Sequence, residues 1–202
     1  MDGSRVKIFG ERNTGTNVLS QLIEKNSQSK CLPSTEPEID EQAFLNAHRP
    51  WILGRRMREW RFDRIFDGQD AVHSWKHCAT NFEDVGIFRG VLVLITVRHP
   101  ASWLSSLFQN PYQCLGRIPA TFSEFIDFSW ETNQRERLGR RSFKPIELYE
   151  AKIDSYLAFT ERLSKADVAF RFVRFEDLVI AHRAVSIGKS ALACQGSTGG
   201  LR

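Results

Sequence analysis

Cysteine is scarce in this 202-residue chain, and long apolar runs are missing from it. The four cysteines, Cys31, Cys78, Cys114 and Cys194, lie far apart and form no CxxC or Cys/His pair at zinc spacing. A reduced compartment and no metal site are therefore expected. No stretch approaches the ~18 apolar residues that a bilayer-spanning helix needs. The polar opening "MDGSRVKIFG" lacks the pattern of a secretory signal. These absences point to a soluble, cytoplasmic protein with no membrane partner.

With 42% hydrophobic residues, the chain has material for one ordinary core and too little for two. One domain over residues 1–180 is expected. The segment 181–202 loses its apolar patterning and ends in "GSTGGLR", which reads as a flexible or atypical tail. The net charge is +4, and 20 of the 28 basic residues are Arg, the side chain best shaped to grip phosphate or sulfate oxygens in pairs. Acidic ligands are the natural partners.

Apolar runs bounded by charge or Gly predict strands at Val6–Phe9, Ala71–Trp75, Val91–Val97 and Val168–Arg174. "VLVLITV" is continuously apolar or β-branched, as suits a central strand buried on both faces of a parallel sheet. Helices are predicted at Thr16–Asn26, Ala101–Phe108, Thr121–Asn133 and Ile146–Lys165, and the span from Ser27 to Gly68 has no clean period. Strands alternating with helices predict an α/β fold, a three-layer sandwich with a central parallel sheet and a P-loop-like strand–loop–helix. Ligands then sit at the C-terminal strand ends.

The first loop, "GERNTGT", carries the sharpest chemistry. Gly10 and Gly15 permit a tight turn, and the helix after it offers unpaired amides and a positive dipole end to an anion. Against the Walker frame G-x-x-x-x-G-K-[ST], Thr16 and Asn17 stand where Lys and a magnesium-binding hydroxyl belong. That disfavours an ATP- or GTP-splitting enzyme, which needs both groups.

"FGERNTGTNVL" resembles the 5′-phosphosulfate loop of the sulfotransferases that use 3′-phosphoadenosine 5′-phosphosulfate (PAPS). Their K/R-[ST]-G-[ST]-[TN] core aligns Thr14, Gly15, Thr16 and Asn17, with Asn13 at the usual Lys. In the family that Lys steadies the leaving phosphate, and Arg12, one residue earlier, is the expected substitute here. "ITVRHPASWLSSLF" resembles the 3′-phosphate motif, an Arg with a Ser eight residues later: Arg98 and Ser106. The spacing has its own logic. Arg98 leaves a strand end, Pro100 suits a helix start, and Ser106 returns to the same face about two turns on, with Ser105 the neighbouring choice. "AVHSWKHCATNF" resembles the segment that supplies the catalytic base. It nominates His77 as base, with Lys76 stabilising the sulfuryl group or leaving phosphate and His73 as the weaker alternative. "FRFVRFEDLV" resembles the family's late "RYEDL" strand, where Glu176 and Asp177 are expected to cap a helix or pair with Arg174.

The resemblance runs from Val6 to Val179 and implies transfer of a sulfuryl group from PAPS to a hydroxyl or amine, on a small-molecule or carbohydrate acceptor. It implies no metal, because sulfuryl carries less charge than phosphoryl and fixed dipoles and cations can stabilise its transfer. The family's later basic loop finds only Gly188-Lys189-Ser190 as a poor counterpart. Three alternatives stay open. One is a nucleotide-binding relic without activity, suggested by Asn13 and that tail. A second is a P-loop kinase on the same fold. The third is a nucleic-acid binder using "GRRMREWRFDRIF", residues 54–66, where Arg alternates with aromatics. Glu59 and Asp63 in that segment favour an ordinary amphipathic helix, and no nucleic-acid partner is expected. Acceptor identity and oligomeric state have no readable code in the sequence.

Overall fold

The computed structural model describes residues 4–33, 56, 59–60, 62–66 and 69–180. Four parallel strands form the central sheet: β1 (Arg5–Gly10), β2 (Lys30–Cys31), β3 (Val91–Val97) and β6 (Phe170–Arg174), in the order β2-β1-β3-β6. A small antiparallel pair, β4 (Trp130–Glu131) with β5 (Ser142–Phe143), lies apart from it. The helices are α1 (Thr16–Asn26), α2 (Pro100–Gln109), α3 (Phe122–Ile126) and α4 (Pro145–Lys165), with residues 62–66 and 175–180 also helical.

The sheet is built on strand alternation. On β1, Val6 and Ile8 face one way and pack with Leu94 of β3, Leu19 of α1 and Leu178. Phe9 faces the other way and joins Val93, Ile95, Phe82 and Phe88 under Tyr156 and Phe159 of α4. Helices thus flank the sheet on both faces. A further cluster, including Trp103, Phe125, Trp130 and Leu148, joins α2, α3 and α4 beside the sheet. Lys7 is buried on the Phe9 face of β1, where its Nζ donates to the carbonyls of Ser74 (2.7 Å) and Pro33 (3.2 Å).

Strand β3 and helix α1 have the predicted bounds, and α2 and α4 begin one residue early, each at a proline. Three expectations are corrected. Residues 71–75 are a turn and not a strand: Asp70 caps the main-chain N–H of His73 at 2.8 Å, and Ser74 N–H bonds back to Ala71. The helix predicted at Thr121–Asn133 stops at Ile126, opened by a Thr121/Glu124 capping box, and Trp130 then enters β4. The last strand starts at Phe170, because Asp167 (φ 56°) closes the chain into a turn after α4. The aperiodic span from Ser27 supplies β2. Residues 34–55, 57–58, 61 and 67–68 of that span, and the tail 181–202, lie outside the described residues. No helix among the described residues is long and apolar enough to cross a membrane.

Candidate functional site

A cavity of about 790 Å³ opens at the C-terminal ends of β1 and β3, where an open parallel sheet places its ligands. Asn13, Gly15, Thr16, Asn17, Lys76, His77, Arg98 and Ser106 all line it, together with Arg12. Sequence reasoning had drawn these residues from three separate blocks, and the fold brings them to one place.

The loop from β1 to α1 is held by close approach and local bonds. A Cβ on Gly10 would lie 1.9 Å from Thr96 Oγ1 on the neighbouring strand, so only glycine fits there. Gly15 caps α1 at φ 85°, and a Cβ there would meet the Phe175 ring at 2.7 Å. The first helical bond of α1 runs from Leu19 N–H to Gly15 O (2.9 Å), leaving the first-turn amides without helical partners. Asn13 sits at φ 60°, a left-handed conformation that Asn tolerates better than Lys, and its side-chain amide donates to Asn110 O at 3.1 Å. Thr14 is the one predicted binding residue that does not line the cavity. It is buried, and its hydroxyl donates to Glu11 O (2.5 Å) and shares a 2.7 Å bond with Thr96 Oγ1.

Arg12 occupies a different setting from the one expected of a leaving-group cation. It is 2% exposed, with Nη1 2.7 Å from Glu11, Nη2 2.8 Å from Glu136, and Nε donating to Gln113 at 3.0 Å. Its carbonyl accepts the Trp103 indole N–H at 2.7 Å. Burial opposes its charge, but Glu136 and Glu11 outweigh burial and push its pKa above the ordinary value. Burial likewise favours a neutral Glu136, yet Arg12 and Lys152 hold that carboxyl down to about 2. The ammonium of Lys76, by contrast, stands at the cavity and donates to Asn17 Oδ1.

His77 is 8% exposed, and its Nδ1–H donates to Gly10 O at 2.6 Å. A carbonyl can only accept, so the neutral ring carries its proton on Nδ1 and leaves Nε2 as the basic nitrogen. Burial, then Lys76 and Arg12, hold its pKa well below 6.5 and keep the ring uncharged. His73 lies outside the cavity, exposed and paired with Asp70 at 2.7 Å.

Arg98 packs its guanidinium over the Phe175 ring at 4.2 Å and donates from Nε to Ser102 Oγ at 3.2 Å. Tyr149 donates its hydroxyl to Arg98 O, fixing the backbone where β3 ends. Ser106 lines the cavity and its neighbour Ser105 does not, which fits the eight-residue spacing. Arg174 pairs with Asp177 (2.8 Å), and Glu176 accepts from His99 N–H (3.1 Å), both structural roles. Glu59 is the one carboxylate among the described lining residues, and Arg135 neutralises it. No three His, Cys, Asp or Glu side chains among the described residues converge as a metal site would need.

Sequence reasoning missed Glu11, Glu136 and Lys152, the buried charges around Arg12. Lys152 had left a signal, since it falls on the stripe of α4 with Leu148, Ser155 and Phe159, a position otherwise apolar or small. Tyr112 and Gln113, on the cavity wall beyond α2, left none.

Set against protein-family models, curated proteins and solved structures, the chain matches none.

Proposed function

We propose that this protein is a PAPS-dependent sulfotransferase whose first loop works as a P-loop-like cradle for the 5′-phosphosulfate. One observation carries the reading: three sequence blocks that resemble separate parts of one nucleotide site line a single cavity. The fit is also chemical. The cavity volume suits a nucleotide-sized ligand. Its wall offers the amide end of α1 together with the cations Lys76 and Arg98, and its single described carboxylate is already paired.

In this reading the donor supplies an activated sulfuryl group. The amides following Gly15 hold the 5′ phosphosulfate end, and Arg98 with Ser106 holds the 3′-phosphate. His77 Nε2 takes the acceptor's proton as the new oxygen–sulfur or nitrogen–sulfur bond forms and the bond from sulfur to the 5′-phosphate oxygen breaks. The electrons of that bond leave with the 3′,5′-bisphosphate. Lys76 steadies the departing phosphate in place of the family's loop Lys, because Arg12 is committed to Glu11 and Glu136. Asn13 then serves the loop's backbone, a role its conformation and its bond to Asn110 support.

The nucleic-acid alternative is weakened by the 54–66 segment itself. Glu59 and Asp63 turn onto Arg135, so that side of the segment docks on the protein. The deciding experiment measures thermal shift with the 3′,5′-bisphosphate and with ATP plus magnesium, beside radiolabelled sulfate transfer from PAPS to carbohydrates, phenols and amines. A shift with the bisphosphate alone, and label in one acceptor class, is expected. A shift with ATP plus magnesium alone would overturn the reading. Bisphosphate binding without transfer to any acceptor would leave a nucleotide-binding relic.

A further inference from the structure

Beside the phosphate loop lie four charges shielded from water. Glu11, Arg12, Glu136 and Lys152 are each 2% exposed or less. Each carboxylate stands between the two cations: Glu11 is 2.7 Å from Arg12 and 3.4 Å from Lys152, and Glu136 is 2.8 Å from Arg12 and 3.2 Å from Lys152. Two positive and two negative charges cancel. Buried ionic groups of this kind seldom stabilise more than apolar residues of the same volume, so their connections indicate their use.

Those connections converge on His77. Lys152 Nζ, from the middle of α4, donates to the His77 carbonyl. On the other side Gly10 donates its N–H to Lys76 O at 3.0 Å and accepts the His77 Nδ1–H at 2.6 Å. Residue 77 is thus gripped at its carbonyl by α4 and at its ring by the end of β1. Glu11 and Glu136 pin the same ammonium from the loop and from the 134–136 turn. The turn is itself tied to Ala79, whose N–H donates to Glu136 O at 2.7 Å. We infer that Lys152 is a positioning residue that holds His77 at the cavity wall against the phosphate loop. Lys152 touches no reacting atom, and the inference rests on the sulfotransferase reading for the role of His77 as base.

The charges facing His77 are Lys76 from its own segment, Arg12 from the loop after β1, and Lys152 from α4, with Glu11 and Glu136 opposing them. Removing Lys152 therefore makes protonation of His77 easier. The test compares the wild type with Lys152→Met and with Lys152→Met/Glu11→Gln, in which the buried charges balance again and folding is protected. The readouts are thermal stability, kcat/KM for sulfuryl transfer, and the NMR titration and tautomer of the His77 ring.

The double variant is expected to recover most of the thermal stability that the single variant loses. It should still lose about 10²-fold in kcat/KM, as a displaced catalytic group does, and its His77 ring should no longer hold its proton on Nδ1 alone; the rise in His77 titration is expected of the single variant. Full kcat/KM in the double variant, or a His77 ring that keeps its single Nδ1–H tautomer there, would overturn the inference. If the wild type transfers no sulfuryl group, the functional reading fails, and the His77 tautomer in the double variant decides the role of Lys152.

Discussion

Arg98 donates from Nη1 to the main-chain carbonyl of Asn13 at 3.0 Å. The cation proposed for the 3′-phosphate is thus fastened to the loop proposed for the phosphosulfate. Loss of this side chain removes a ligand contact and a strut of the loop together. Arg98→Ala is expected to weaken binding of the 3′,5′-bisphosphate by at least ~1.5 kcal/mol, the value of a charge-assisted hydrogen bond. Calorimetry that finds unchanged affinity would remove Arg98 from the site.

Arg12 and Lys76 should separate cleanly. Truncating Arg12 to Met leaves two buried carboxylates, Glu11 and Glu136, sharing the single charge of Lys152, and breaking a buried pair costs about 3–5 kcal/mol. Lys76 donates to Asn17 at the cavity wall, and Lys76→Met is expected to lower bisphosphate affinity by the loss of a charge-assisted contact, about 1.5 kcal/mol or more. The opposite pattern, a stable Arg12→Met that binds poorly beside an unaffected Lys76→Met, would return the leaving-group role to Arg12.

Much of this was legible in the sequence. Continuous apolar residues in "VLVLITV" identified the central strand, and Gly10 and Gly15 marked a loop in which added Cβ atoms collide. The Arg98/Ser106 spacing does bring both residues to one cavity, because it depends on a strand end and two helical turns, both local. The failures were tertiary. "AVHSW" alternates like a strand, yet Asp70 and the buried Lys7 ammonium hold it as a turn. Arg12 looked available because its partner Glu136 lies 124 residues away, beyond the reach of any local pattern.

Gly15 offers a test of loop geometry free of charge effects. Gly15→Ala places a Cβ 2.7 Å from Phe175 at a left-handed φ of 85°. Strain of about 1–2 kcal/mol is expected from the backbone alone. Phe175 must also shift, and it carries Arg98 on its ring. The variant is therefore expected to lose both melting temperature and bisphosphate affinity. A variant that melts lower but binds as tightly would show that Phe175 has no part in placing Arg98.

His77 gives the protein an acid-side signature. Its folded pKa lies below 6.5 and its unfolded value is near 6.5, so between the two the unfolded chain binds the extra proton. Stability from this group is fully present above about 6.5 and is lost as pH falls toward the folded pKa. His77→Gln is expected to flatten that part of the urea-denaturation profile and to lower kcat by about 10²–10⁴-fold. The wild-type kcat/KM should show no acid limb near 6.5, since the base is already neutral there. An acid limb centred at 6.5 would mean an exposed, ordinary histidine.

Lys7 gives a separate signature on the alkaline side. Burial on β1 lowers its pKa from 10.5 to about 7, with Cys78 and Asp70 only partly opposing the shift. Above pH 7 the folded protein sheds a proton that the unfolded chain keeps up to about 10.5. Stability from Lys7 must therefore increase as pH rises through this window, and it is lost as pH falls toward 7. Other groups titrate here too, including the Cys78 thiol, whose pKa burial raises. The difference between the wild type and Lys7→Met isolates the lysine. Lys7→Met also unties the Ser74 carbonyl, accepted from Lys7 at 2.7 Å, from the strand that ends at the phosphate loop. Urea denaturation from pH 7 to 8.5 should show wild-type stability rising more steeply than that of Lys7→Met. Parallel profiles would mean that Lys7 keeps its charge in the folded protein across this window.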